Sequence, residues 1–125
     1  MRRHGPSSPE ELGAPIAYLA LRDGTPVYDA KGHGVGVVEH VMEFGGIFEG
    51  LIIHTHPLPG RHLYADVDEI AEIREHGVLL SVDRDELQEP RPDRPPSDQP
   101  ESLLEARLRR AWDWLTGGEG LARRR

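Results

Sequence analysis

The residues best suited to chemistry in this 125-residue chain are three histidines that follow one another closely. His54 and His56 are two positions apart, and on a β-strand side chains at that spacing point to the same face of the sheet. His62 comes six residues later, across a loop at Pro57–Gly60. Three imidazoles can bind a zinc-type ion and leave its fourth position open. His54, His56 and His62 are therefore candidate metal ligands.

The same histidines also have a simpler interpretation, which is that they lie at the exposed end of a strand. Pro57 has no backbone N–H, so it ends the hydrogen-bonded ladder directly after His56. A half-solvated histidine needs no metal. His33, His40 and His76 are scattered along the chain, and for these a pH-sensing role is the alternative to an ordinary surface position.

His54-Thr55-His56-Pro57 resembles the metal-binding core of JAMM-type metalloproteases, which carry His-x-His-Pro on a strand. That pattern needs a downstream Ser and Asp, and this chain has Tyr64 and Val67 at those positions. The ligand register is therefore broken, and the resemblance does not support a protease.

The sequence contains no other arrangement of residues that indicates catalysis. Paired carboxylates at Asp66/Asp68 and Asp83/Asp85/Glu86 are expected to cap turns or a helix start. No cysteine is present, which excludes disulfides, thiolate zinc sites and cysteine nucleophiles. There is no Ser/His/Asp elbow and no phosphate-binding glycine loop. We therefore expect a protein that is not an enzyme and has no cofactor.

Short β-rich runs separated by glycine turns must position these residues. Such a pattern is typical of a small barrel or sandwich. The expected strands cover residues 15–21, 26–29, 35–44, 47–55, 62–65, 70–74 and 78–82, with a tight turn at 66–69 and a short helix at 83–87.

Several of these runs resemble the PRC-barrel family, which is named for the photosynthetic reaction-centre H subunit and includes the C-terminal domain of a ribosome-maturation factor. The residues that carry the resemblance are Gly24-Thr25-Pro26-Val27-Tyr28-Asp29 with Gly32, Val35-Gly36-Val37-Val38, Phe48-Glu49-Gly50-Leu51-Ile52, Val67-Asp68-Glu69-Ile70 and Gly77-Val78-Leu79-Leu80. The resemblance implies a mainly β fold, a barrel of five to seven strands that docks on a partner protein or an RNA–protein assembly. It implies no catalytic residues.

The chain is expected to divide into five parts. They are a flexible N-terminal arm (1–13), the barrel-like domain (14–88), a Pro-rich spacer (89–100), an amphipathic helix (101–117) and a basic tail (118–125). The spacer cannot form a core and favours polyproline II. Pro100-Glu101 suits a helix start and Gly117-Gly118 a helix end.

Apolar side chains at helical spacing give the last helix a stripe that is suited to partner binding. The candidate contact residues are Leu104, Leu108, Trp112, Trp114 and Leu115. Three interpretations stay open: the helix covers its own barrel, binds another protein or a second copy in a homodimer, or lies on an anionic membrane through its arginines. The acidic residues Glu101, Glu105, Asp113 and Glu119 weaken the membrane interpretation.

Acidic side chains are concentrated in the barrel-like domain. The formal net charge is −7, and residues 14–88 carry 13 acidic and 5 basic side chains, a net charge of −8. An acidic barrel repels phosphate, so direct nucleic-acid binding by the barrel is not expected.

The longest apolar run is far shorter than the ~20 residues of a membrane span, and no secretory signal is visible, so a cytoplasmic location is expected. The expected function is a non-catalytic adaptor, with a His-based metal-binding protein or a ribosome-associated assembly factor as alternatives.

Overall fold

The structure, a computed structural model, describes residues 8–55, 61–90 and 102–117. The described chain is mainly β, with six strands followed by one α-helix. It divides into two compact units, Met1–Gln88 and Glu89–Arg125. Among these residues no helix has the length and apolar character needed to cross a membrane.

Six strands form one mixed sheet in the first unit. They are β1 (Pro26–Tyr28), β2 (Gly34–Phe44), β3 (Ile47–Thr55), β4 (His62–Asp66), β5 (Ile70–Arg74) and β6 (Gly77–Leu80). Their order is β4-β3-β2-β1-β6-β5. All neighbours are antiparallel except β1 and β6, which are parallel. The six strands confirm the mainly β class. The outer strands β4 and β5 are not paired with each other in the described ranges, so the sheet is open and a closed barrel is not formed there.

Both outer strands are nevertheless covered for a short distance. Pro15 forms an isolated antiparallel bridge with Arg74 on β5, and Gln88 forms one with Tyr64 on β4. Unpaired edges are sites of unwanted strand addition. These bridges shorten the edge that each outer strand presents.

The β2–β3 hairpin is the longest element and follows directly from its sequence. β-branched residues favour extended chain, and Gly45-Gly46 adopts positive φ angles of 62° and 81° at the turn, which glycine permits at little cost. Leu51 and Ile53 of β3 join the main core cluster, whereas Ile52 and His54 do not. β3 therefore shows the alternation expected of a strand.

The main core cluster lies on the side of β3 and β4 that carries Leu51 and Ile53. Its fully buried members include Val27, Val38, Leu51, Ile53 and Val78. Burial of apolar side chains of this size stabilises the fold by roughly 1.5–3 kcal/mol each. This core fixes the strands from which the sites below project.

The strand expected at residues 15–21 is wrong. Tyr18–Ala20 forms a 3₁₀ helix, in which the N–H of Leu21 donates to the carbonyl of Tyr18. Only the N–H of Ile16 donates to the sheet, at 2.9 Å from the carbonyl oxygen of Ile73. Tyr18 packs its ring on Phe48 of the hairpin, so a tertiary contact overrides the β propensity of this segment.

The structure describes residues 8–13 of the arm that the sequence predicts at 1–13. Pro9–Leu12 forms a 3₁₀ helix, and Leu12 is buried. The N–H of His76 donates to the carbonyl of Leu12, and the Arg74 guanidinium donates to the carbonyl of Gly13 at 2.7 Å. A single buried leucine and these hydrogen bonds hold the segment on β5 and β6; residues 1–7 lie outside the described ranges.

The second unit contains the expected helix, α1 (Leu103–Thr116). Ser102 and Glu105 form a reciprocal capping box at its start, and Gly117 ends it in the left-handed conformation with φ 73°. Both devices satisfy backbone groups that a helix end leaves unpaired. Residues 91–100 of the expected spacer, residue 101 of the expected helix and the whole tail at 118–125 lie outside the described ranges.

Candidate functional site

Two of the three predicted metal-ligand residues lie next to each other in the sheet. His54 on β3 and His62 on β4 are direct cross-strand partners. Their ring centroids are 5.2 Å apart, and the rings are nearly perpendicular at 80°. Cross-strand partners share a face, so both imidazoles project from the same side of the sheet.

A third ligating side chain comes from β2. The β2–β3 register shifts between Val38 and His40, which leaves Glu39 as the extra residue of a β-bulge. A bulge redirects the side chain at the extra position. The Glu39 Oε1 atom lies 3.9 Å from His54 Nδ1. We call Glu39, His54 and His62 the His–Glu cluster.

The cluster differs in one member from the sequence prediction. His56 lies outside the described residues, so its place in the predicted set stays a prediction. Among the described residues, Glu39, which sequence reasoning missed, joins the two histidines: one ligand atom from each of Glu39, His54 and His62 lies within 4.8 Å of the others. Nothing in the run of residues around Glu39 signals a bulge, so only the register of the strands reveals it.

At the other end of β3, large apolar side chains are exposed around the hairpin turn. Leu19, Phe44 and Ile47 are 77%, 60% and 67% exposed. Phe44 and Ile47 are register partners on either side of the Gly45-Gly46 turn. We call these residues, together with Tyr18 and Phe48, the hairpin surface.

Tyr18 attaches the preceding 3₁₀ helix to this turn. Its ring stacks on Phe48 with centroids 4.6 Å apart and planes 16° apart. Its hydroxyl is within hydrogen-bond distance of two acceptors, Glu43 Oε1 at 3.0 Å and the Gly46 carbonyl at 3.2 Å. The hydrogen bond to the Glu43 carboxylate raises the pKa of the Tyr18 phenol. These contacts place Leu19 beside the hairpin.

A cleft of about 300 Å³ adjoins the hairpin surface. Leu19 and Leu21 line it together with the polar side chains of Asp23, His40 and Glu43. Burial lowers the pKa of His40, and the nearby carboxylates, that of Asp23 first, oppose this shift. The cleft thus combines an apolar wall with an acidic rim.

The acidic pairs considered for catalysis have structural roles instead. Asp66 caps the 3₁₀ helix Val67–Glu69 through a reciprocal capping box with Glu69, as the turn-capping interpretation predicted. The Tyr64 hydroxyl lies 3.2 Å from Asp66 Oδ1. The helix-start cap expected of Asp83 is wrong: Asp83 precedes the 3₁₀ helix Arg84–Glu86, but its side chain makes no capping hydrogen bond and pairs with Lys31 at 3.4 Å.

The helix residues predicted to bind a partner differ in exposure and fall into three groups. Leu108 is buried at 1% exposure. Trp114 is 40% exposed, and Leu104, Trp112 and Leu115 are half-buried. Leu103, which the prediction did not include, is the most exposed apolar residue of the helix at 71%. Whether these side chains bind a partner stays a prediction.

No family model, curated protein or solved structure matches this chain. The two surfaces are therefore interpreted from their own chemistry.

Proposed function

We propose that the first unit is a non-catalytic binding module of the PRC-barrel type, which docks a segment of another protein on the hairpin surface. The observation that carries this proposal is the exposure of Leu19, Phe44 and Ile47 at one end of the sheet. Phe44 and Ile47 are cross-strand partners, and exposed apolar side chains that lie together commonly mark an interaction site. The PRC-barrel resemblance agrees with such a role, since it implies docking without catalytic residues.

The hairpin surface is preorganised for binding. Phe44 and Ile47 are fixed by strand pairing, and Leu19 follows Tyr18, whose ring and hydroxyl both contact the hairpin. A surface that is already ordered avoids much of the entropic cost of immobilising side chains on association. The exposed apolar area can then contribute to affinity.

The charge around this surface favours one kind of occupant. Asp23 and Glu43 border the adjoining cleft, and Glu43 lies directly before Phe44. In a symmetric contact with a second copy, identical carboxylates would approach each other, which costs free energy. We therefore infer a partner segment that carries an apolar anchor for Phe44 and Ile47 and flanking Lys or Arg side chains.

Selection from a random-peptide phage library tests this inference without knowledge of the partner. The full-length protein is the target, and the Phe44→Ser/Ile47→Ser double variant removes peptides that bind elsewhere. The expected sequences contain an aromatic or aliphatic anchor next to basic residues. Leu103→Ser is the matched control, since it removes an equally exposed apolar side chain from the helix and should leave binding unchanged.

Fluorescence polarisation of purified, labelled peptides then measures how much the acidic side chains contribute to affinity. Glu43→Lys should weaken binding by roughly tenfold, and added salt should narrow that difference because exposed charges are screened. Selection of acidic peptides, or of none that distinguish the wild type from the double variant, would contradict the proposal. Self-association that is lost in the double variant would assign the surface to a second copy instead.

A further inference from the structure

We propose that the His–Glu cluster binds a divalent transition-metal ion of the zinc class, with Glu39, His54 and His62 as its three protein ligands. Their ligand atoms already lie within 4.8 Å of one another, and Glu39 Oε1 and His54 Nδ1 are 3.9 Å apart. This site is separate from the hairpin surface, and neither proposal depends on the other.

Three neighbouring strands each contribute one ligand. β3 lies between β2 and β4, so His54 is flanked by Glu39 on one side and by its register partner His62 on the other. Ligands on paired strands are positioned more firmly than ligands on loops. The donors therefore converge through the sheet itself.

The bulge at Glu39 is an independent sign of a built arrangement. It is one of two irregularities in the β2–β3 pairing, and it lies beside the register pairs that hold Val38 and His40. Bulges occur next to functional sites, where they turn a side chain toward a new direction. Here the turned side chain is the carboxylate that approaches His54.

Gly36 holds β2 close to the backbone of the histidine. A Cβ atom at Gly36 would collide with the carbonyl oxygen of His54 and lie 2.8 Å from Thr55 Cα. Only a residue without a side chain fits that spacing. The close approach keeps β2, and with it Glu39, against β3.

The donor set suits zinc and related ions. Two imidazoles and a carboxylate leave a fourth tetrahedral position for water, and zinc takes such ligands at ~2.0–2.2 Å, which places the donor atoms roughly 3.3–3.5 Å apart. Because the ligand atoms lie within 4.8 Å of one another, they need to approach by about 1.4 Å at most. The side chains of His54 and Glu39 are 32% and 39% exposed, so rotation about their side-chain bonds can supply this movement.

Calorimetric titration of the tag-free full-length chain with zinc chloride tests the site. One ion per chain should bind, and His54→Gln and His62→Gln should each weaken binding at least about tenfold, as expected when a direct ligand is lost. Glu39→Gln should weaken it by a smaller but measurable factor. His33→Gln is the matched control, because it changes an exposed turn histidine away from the cluster, and it should leave the affinity unchanged.

A second measurement uses the wild-type chain alone, so it holds even where a variant folds poorly. Titration with zinc, followed by ¹⁵N NMR of the imidazole nitrogens, should shift the signals of His54 and His62 and leave that of His33 in place. Zinc affinity unaltered by both histidine substitutions, or a response at His33 equal to that at His54, would overturn the site. Unchanged affinity in Glu39→Gln would overturn the three-residue ligand set.

Discussion

The two ends of β3 carry opposite kinds of surface. Ile47 begins the strand within the apolar hairpin surface, and His54 lies near its end within the His–Glu cluster. The two residues are seven positions apart, which is about 23 Å along an extended strand. The same strand pairs with β2 at both ends, so one piece of regular structure supports an apolar contact surface and a cluster of ligating groups.

The difference between the two ends lies in what holds each of them in place. The hairpin surface depends on local contacts, since the Tyr18 ring and hydroxyl reach the turn from the preceding segment. The His–Glu cluster depends on strand register, because its members come from β2, β3 and β4. A substitution can therefore disturb one end and spare the other, or remove the support that both share.

The largest expected effect comes from the shared support. Leu51 is fully buried in the core cluster between the two ends. Leu51→Ala should lower the free energy of unfolding by about 2–5 kcal/mol, through lost burial and the cavity left behind. Urea denaturation measures the change. Leu19→Ala, at an exposed position, should stay within about 0.5 kcal/mol of the wild type, and equal losses in both variants would contradict the assigned core.

A smaller effect should separate the two ends. Gly36→Ala places a Cβ atom against the His54 carbonyl and should lower the free energy of unfolding by roughly 1–3 kcal/mol, as overpacking does. We expect the folded variant to bind zinc more weakly than the wild type. Its affinity for the selected hairpin peptide should be unchanged. Parallel titrations check this, and a variant that loses peptide affinity along with zinc affinity would show that the two ends are not separate.

Substitution of Tyr18 should affect only the hairpin end of β3, in contrast to Gly36→Ala. Tyr18→Ala removes the ring stack on Phe48 and the hydrogen bond to the Gly46 carbonyl. The amides of residues 44–48 should exchange faster with deuterium, and peptide binding should weaken, since a less ordered surface must be fixed on binding. Zinc affinity should not change. Unaltered exchange at the turn would mean that Tyr18 does not hold it.

The smallest expected effect is a dependence of stability on pH near the cleft. Burial lowers the pKa of His40 below its ordinary value of 6.5, so just below that pH the folded chain binds fewer protons than the unfolded chain. The contribution of neutral His40 to folding stability is therefore present above the ordinary histidine pKa. It is lost as the pH falls through the lowered pKa of His40 in the folded chain. His40→Gln should flatten the dependence of Tm on pH in this window, whereas His33→Gln should retain it; the same slope in both would assign it elsewhere.

Much of the fold is predictable because its signals are local. The Gly45-Gly46 turn and the β-branched run after it place β3 at Ile47–Thr55, as the sequence predicted. The C-terminal helix likewise follows from its apolar spacing and its Gly117 end. Residues 15–21 mislead because Tyr18 packs on Phe48, a contact between segments that no local pattern contains.

The candidate sites show the same limit. The spacing of His54 and His62 across a short loop indicates adjacent strands, and the structure pairs them. Glu39 joins them only because the strand register shifts by one residue at a bulge. The hairpin surface was not predicted, since a strand pattern does not show whether the side chains beside a turn, such as Phe44, are covered by another segment.

The most direct test of two separate surfaces on one strand is a two-dimensional ¹⁵N NMR titration of the full-length chain with the selected peptide, with and without saturating zinc. We expect the peptide to shift the amide signals of Leu19, Phe44 and Ile47, to leave those of His54 and His62 in place, and to bind equally well with zinc present. Peptide shifts centred on His54 and His62, or no shifts at the hairpin turn, would contradict this expectation.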